Sequence, residues 1–62
     1  GGDEAKVFDL IVQSNGTLYQ HELVEKLGLS KVQITRLLDR LEGQDLIERR
    51  RRGMTNLVVL KH

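Results

Sequence analysis

The sequence predicts a small α+β domain that is mostly helical, with three helices, one short strand and a C-terminal β-hairpin. Apolar residues recur at helical spacing in three segments, and the period changes to a strand-like pattern after Gly43. Glycines lie close to several of the expected boundaries. The 62 residues contain neither cysteine nor proline, and a chain of this length accommodates one domain, residues 1–62, that buries only about 60% of its unfolded surface.

The first helix is predicted for residues 3–15, which carry a broad apolar stripe formed by Val7, Phe8, Leu10, Ile11 and Val12. Asp3 can cap its start, and Asn15-Gly16 is the kind of pair that ends a helix. The next three residues, Thr17–Tyr19, favour a short strand. This strand is too brief to be stable without neighbours.

The second helix is predicted from Gln20 to Leu27, where Gly28 ends it. Ser30 is a good N-cap for the third helix, and Gln33 completes an S-x-x-Q capping box. The third helix is expected to end near Gly43. It is short, amphipathic and basic.

Two strands are predicted after the helices, at Leu46–Arg50 and Thr55–Lys61. The four residues between them, Arg51–Met54, are expected to form the hairpin tip. Gly53 can supply the positive φ that a tight turn needs.

We predict one hydrophobic core from the helical spacing and from the alternation of the last strand. Its expected members are Phe8, Ile11, Leu23, Leu27, Leu29, Ile34, Leu37, Leu38, Leu41, Ile47, Val58 and Leu60.

Composition excludes several classes of function. His21 and His62 are the two histidines, and without cysteine they offer no metal site, so we expect no metal, no cofactor, no small-molecule substrate and no enzymatic activity. The longest apolar run, Leu57–Leu60, is far shorter than the roughly 20 residues of a membrane span. Tyr19 and Phe8 are too few aromatic residues for a platform on which single-stranded bases stack.

Charge is distributed unevenly along the chain. Residues 1–30 hold two lysines and five carboxylates, whereas residues 31–62 hold eight lysines or arginines and four carboxylates. This polarity favours a C-terminal half that meets a polyanion.

Four segments form a pattern, namely E-L-V-E-K-L-G-L-S (Glu22–Ser30), I-T-R-L-L-D-R-L-E (Ile34–Glu42), L-I-E-R (Leu46–Arg49) and V-V-L (Val58–Leu60). With them the chain resembles winged helix-turn-helix domains of MarR-like and related bacterial and archaeal transcriptional regulators. Asp45 stands where the family usually has glycine, and it tolerates the left-handed conformation. Tyr19 takes the usual Ser or Thr cap position of the second helix, where Glu22 can accept a backbone hydrogen bond.

The resemblance implies binding of double-stranded DNA, with the third helix in the major groove. The candidates to contact base edges are Lys31, Val32, Gln33, Thr35 and Arg36. Arg36 can pair with guanine and Gln33 with adenine. Alternatives are open for both: the capping box takes the Gln33 side chain, and Arg36 pairs with Asp39 or remains solvated.

The resemblance also implies a basic wing on the DNA backbone or in the minor groove. The candidate phosphate contacts are Tyr19, Gln20 and His21 at the second helix, Arg40 on the third, and Arg50, Arg51 and Arg52 in the wing. Arg51 and Arg52 are preferred because they are expected at the tip. The alternative is a solvated hairpin edge that charge protects from aggregation.

A winged helix used for protein–protein contact is the rival hypothesis, since a fold does not fix a function. Gly1-Gly2 is expected to be a cloning remnant, and the domain to be excised from a larger regulator, cytoplasmic or membrane-anchored with this domain on the cytoplasmic side. A second copy is expected through the parent protein. Leu57 and Val59, on the outer side of the last strand, are an alternative interface.

Overall fold

The computed structural model describes residues 2–61, which form three helices and one antiparallel sheet. The elements are α1 (Gly2–Gln13), β1 (Thr17–Tyr19), α2 (Gln20–Leu27), α3 (Lys31–Gly43), β2 (Ile47–Arg52) and β3 (Thr55–Leu60). The strand order is β1-β3-β2, so the last strand is central. The predicted α+β, mostly helical class is confirmed, and the arrangement is compatible with a winged helix-turn-helix. Gly1, part of the expected cloning remnant, and His62 lie outside the described residues.

Helix α1 begins and ends slightly earlier than predicted. It includes Gly2, so Asp3 lies in the first turn and is not the cap, although its carboxylate there still favours the positive end of the helix dipole. The predicted stop is confirmed, because Asn15 and Gly16 both have left-handed backbone, with φ of 62° and 84°. The N–H of Gly16 donates to the carbonyl of Ile11 at 2.9 Å. This pair turns the chain into β1.

The sheet has one face against the helices and one face outward. Leu18 of β1 lies opposite Val58 of β3, and both are buried. Because successive residues of a strand point to opposite faces, the neighbouring Leu57 and Val59 lie on the outer face, where they are half-buried. Their predicted outward position is confirmed, and their use as an interface stays a prediction.

The β2–β3 hairpin, here called the wing, is longer than predicted. Strand β2 starts at Ile47 and continues to Arg52, which pairs with Thr55. The turn therefore consists of Gly53 and Met54 alone, and the prediction of a four-residue tip was wrong. Gly53 has φ of 60°, as the first turn residue of a two-residue type II′ hairpin requires.

Asp45 joins α3 to the wing in the left-handed conformation, with φ of 63°. This confirms that aspartate can replace glycine there. Its carboxylate accepts a hydrogen bond from the ammonium group of Lys61. That bond and the attraction between the two charges raise the pKa of Lys61 above its ordinary value.

The core lies between the three helices and the inner face of the sheet. Eight predicted members are buried, namely Ile11, Leu23, Ile34, Leu37, Leu38, Leu41, Ile47 and Val58. The other four, Phe8, Leu27, Leu29 and Leu60, are half-buried and pack against it. Val7 and Leu18 are also buried and were missed, because a broad apolar stripe does not reveal which of its residues face inward and a three-residue strand has too little alternation to analyse.

Candidate nucleic-acid interface

Helices α2 and α3 form a helix-turn-helix whose turn is held by local hydrogen bonds. Gly28 ends α2 with φ of 67°. The N–H of Gln33 donates to Ser30 Oγ at 3.1 Å, and the N–H of Ser30 donates to Gln33 Oε1 at 2.9 Å. The predicted capping box is therefore present, and it fixes the direction in which α3 leaves the turn.

The capping box and a second contact engage two of the five residues predicted to contact base edges. Gln33 uses its Oε1 in the cap, which is the alternative that the sequence left open. The Thr35 hydroxyl donates to the carbonyl of Lys31 at 2.9 Å and accepts from Gln20 Nε2 at 3.1 Å. Lys31, Val32 and Arg36 remain on the exposed side of α3, where they can contact a ligand without breaking a bond.

Arg36 and Arg40 are exposed at the edge of α3 that faces the start of α1. Together with the start of α1 they line a lateral groove of about 430 Å³. Asp3 and Glu4 of α1 line the same groove. These carboxylates weaken the positive field around the two arginines. Arg36 does not pair with Asp39, as one alternative for this residue required, because Asp39 binds Arg49 instead.

Arg49, the first arginine of the wing, is a structural residue. Its Nη2 lies 2.6 Å from both Asp39 Oδ1 and Glu42 Oε1, and its Nε donates to Glu42 at 2.9 Å. Partial burial alone would lower the pKa of Arg49, but the hydrogen bonds and charges of Glu42 and Asp39 outweigh it and raise this pKa. The wing is thereby anchored to α3.

The other three wing arginines do not share one face. Arg51 lies opposite Asn56, Arg52 opposite Thr55 and Arg50 opposite Leu57. Side chains alternate along a strand, so Arg51 lies on the face toward the helices, whereas Arg50 and Arg52 lie on the outer face. Arg50 is paired there with Glu48 at 2.7 Å. The prediction that Arg51 and Arg52 belong to the turn was therefore wrong, because both are paired residues of β2; their contact with DNA stays a prediction.

At the start of α2, one of the three predicted phosphate contacts has a buried side chain. Gln20 has 6% of its surface exposed, and its amide is bonded to Thr35 and Asn56, so a phosphate contact at this residue stays a prediction that depends on the backbone. Tyr19 and His21 are exposed, and their rings stack with centroids 5.7 Å apart. Glu22 Oε2 accepts from the N–H of Tyr19 at 2.8 Å, as predicted for this cap.

A central groove of about 380 Å³ separates the wing from α2 and the start of α3. Lys31 and Arg51 are cations on opposite walls of it, and His21 lies on the α2 side. Met54 at the wing tip, 92% exposed, and Val24 of α2 supply apolar surface. The remaining lining residues are Gln20, Glu25, Thr55 and Asn56. The sequence indicated Lys31 and Arg51 separately, but their juxtaposition depends on the wing register.

The chemistry available at this site is that of charge and hydrogen bonding. Within residues 2–61, no three side chains of His, Cys, Asp or Glu are grouped so that they can hold a metal ion. No helix in the same part of the chain is long and apolar enough to cross a membrane. The groove can accept an extended anion along Lys31 and Arg51.

The chain is similar to proteins of unknown function. It is 34% identical over 58 residues to an uncharacterized protein of Methanocaldococcus jannaschii, a match that covers 94% of this chain and 12% of that protein. The chain thus spans about an eighth of this relative. No solved structure matches it. Residues 2–61 match the family described as a domain of unknown function, DUF7343, and the chain belongs to this family.

Proposed function

We propose that this domain binds double-stranded DNA as the DNA-binding module of a transcriptional regulator of the MarR-like winged-helix kind. Helix α3 enters the major groove, and the wing lies on the backbone or in the minor groove. The observation that carries the proposal is the central groove, a space open to solvent that is lined by Lys31 of α3 and Arg51 of the wing. Two cations on opposite walls suit a phosphate backbone that runs between them.

The distribution of acidic residues supports the same proposal. Asp39 and Glu42 lie on α3, where free carboxylates would repel phosphate, and both are paired with Arg49. Both carboxylates also lie outside the lining of the central groove. Among the described residues, that lining holds two cations, Lys31 and Arg51, against the carboxylate of Glu25, so its net charge is positive.

In this proposal, other parts of a longer parent protein contribute to the affinity for DNA. A single small module binds non-specific DNA with dissociation constants of roughly 10⁻⁴–10⁻⁶ M. Since this chain spans about 12% of its archaeal relative, we propose that the parent protein supplies a second copy, and with it higher affinity. The domain then lies on the cytoplasmic side, whether or not the parent is membrane-anchored.

Protein–protein contact is the second candidate function, and exposed apolar residues favour it. Val32 on α3 is 59% exposed, and Met54 at the wing tip is 92% exposed. Met54 lines the central groove, and Val32 follows Lys31, which also lines it; exposed apolar side chains of this kind suit a protein partner.

A salt series with a random-sequence duplex separates the two functions. For the unmodified domain, log affinity should fall linearly with log salt. The double variant Lys31→Ala/Arg51→Ala should lower this slope by about 1.8, roughly 0.9 for each lost phosphate contact. The matched control is Lys6→Ala/Lys26→Ala, which removes the same charge from exposed positions on α1 and α2 and should leave the slope unchanged. Equal effects of the two double variants, or no binding by the unmodified domain, would favour protein–protein contact.

A further inference from the structure

Gln20 is the one buried polar side chain among residues 2–61, and its amide has a partner on both sides. Its Nε2 donates to Thr35 Oγ1 at 3.1 Å, and its Oε1 accepts from Asn56 Nδ2 at 3.1 Å. The Thr35 hydroxyl donates in turn to the carbonyl of Lys31 at 2.9 Å. An unbroken chain of hydrogen bonds, here called the Gln20 bridge, therefore joins the wing, the start of α2 and the first turn of α3.

Each end of the Gln20 bridge is attached to one cation of the central groove. Asn56 is the cross-strand neighbour of Arg51, and the bridge ends on the backbone of Lys31. Both cations line the groove. We propose that Gln20 is a positioning residue that fixes the spacing of Lys31 and Arg51, so that both reach one DNA backbone at the same time. This inference rests on the proposed function, because it concerns how the same groove binds DNA.

The position requires a donor on one side and an acceptor on the other. Thr35 uses its hydroxyl hydrogen on the Lys31 carbonyl and so presents lone pairs to Gln20, whereas Asn56 presents an amide hydrogen. A side-chain amide donates and accepts simultaneously, and an ionised carboxylate or an alkyl group does not. Because the site is buried, a lost partner leaves an unsatisfied polar group that favours rearrangement.

The Gln20 bridge is also the attachment nearest to the wing tip. Arg49 ties the base of the wing to α3 through Asp39 and Glu42. Between Arg51 and Asn56, the bond from Asn56 to Gln20 is the one hydrogen bond that the structure shows from the wing to a helix. Without it, the outer half of the wing is free to change its angle to α3, and Arg51 moves with it.

The test replaces an uncharged residue and measures the salt dependence of DNA binding. Gln20→Ala removes no charge, yet the slope of log affinity against log salt on a random-sequence duplex should fall by about 0.9, because Arg51 no longer reaches phosphate. Adding Arg51→Ala to Gln20→Ala should change the slope no further. Ile11→Val is the control: it loosens the core away from the groove and should leave the slope as it is in the unmodified domain.

Two further measurements keep the inference testable if Gln20→Ala folds poorly. Asn56→Ala breaks only the wing half of the bridge at a half-buried position and should lower the slope by the same amount, about 0.9. Residual dipolar couplings without DNA should show a changed orientation of the wing relative to α3 in either variant. If these variants keep both the slope and the wing orientation of the unmodified domain, the positioning role of Gln20 is overturned and the proposed function is not. If the unmodified domain shows no salt-dependent binding, the proposed function itself is overturned.

Discussion

The Nη2 atom of Arg49 lies 2.6 Å from Asp39 Oδ1, and this ion pair ties the wing to the exposed side of α3. Glu42 lies 2.6 Å from the same nitrogen. One arginine thus pairs with two carboxylates of the helix that we place in the major groove and offsets one of their two negative charges. The pairing also separates Arg49 from the three arginines that follow it, because its side chain is largely covered and theirs are exposed.

Arg49→Ala should lower the free energy of unfolding by about 1–2 kcal/mol, a range reduced because Asp39 and Glu42 are partly exposed. The loss arises because the variant leaves two carboxylates side by side and frees the base of the wing. A urea midpoint measures it. Arg52→Ala is the matched control, since Arg52 lies on the outer face of the wing without a carboxylate partner among the described residues. Equal midpoints for the two variants would contradict the anchoring role of Arg49.

Ser30→Ala should lower stability by about 0.5–2 kcal/mol, because it leaves the N–H of Gln33 without its cap. Ser30→Asp keeps an acceptor at the same position and should retain most of the stability. Denaturant midpoints of both variants provide the comparison. A similar loss in both would mean that the 3.1 Å bond from Gln33 to Ser30 does not stabilise α3.

Leu38→Ala should destabilise the domain by about 2–5 kcal/mol, because it removes a fully buried side chain and leaves a cavity. In a domain of this size that is most of the folding free energy. Val32→Ala is a matched control on the same helix, with a side chain that is 59% exposed. If thermal melting of Leu38→Ala coincides with that of Val32→Ala, the inner face of α3 is assigned incorrectly.

The carboxyl of Glu48 should titrate below its ordinary value. A hydrogen bond from Arg50 and the charge of the same residue lower its pKa. A lowered pKa in the folded state means that the contribution to stability is present above the ordinary value of 4.5 and is lost as the pH falls through the folded pKa. Carboxyl chemical shifts recorded over an acid pH series give the midpoint. In Arg50→Ala the midpoint should return toward the ordinary value, and an unchanged midpoint would refute the pairing.

Features set by a few neighbouring residues were predictable from the sequence. The capping box of Ser30 and Gln33, the left-handed Asp45 and the contact between Glu22 and Tyr19 all depend on partners within three residues or on the backbone of one residue. Such signals need no knowledge of the tertiary fold. They were sufficient to place the helix-turn-helix.

Features set by distant residues were not predictable in this way. The helical period places Gln20 on the same side of α2 as Leu23 and Leu27, but its hydrogen-bond partner Asn56 is 36 residues further along, and nothing local in the sequence indicates that pairing. The faces of Arg51 and Arg52 depend on where the wing turns, and a run of identical side chains does not mark that point. The charges of the candidate site were therefore predicted, whereas their separation into a groove face and an outer face required the strand register.

The loss of DNA affinity caused by Arg36→Ala should depend on the DNA sequence. Arg36 is exposed on α3, where it can pair with a guanine edge, and its loss should cost about 1–3 kcal/mol on a selected duplex and little on a random one. Arg40→Ala, one turn further along the same lateral groove, is the control. It should weaken both duplexes alike and lower the salt slope by about 0.9, as expected for a phosphate contact. A uniform loss for Arg36→Ala would place this residue on phosphate too, and base recognition would then depend on Lys31 and Val32.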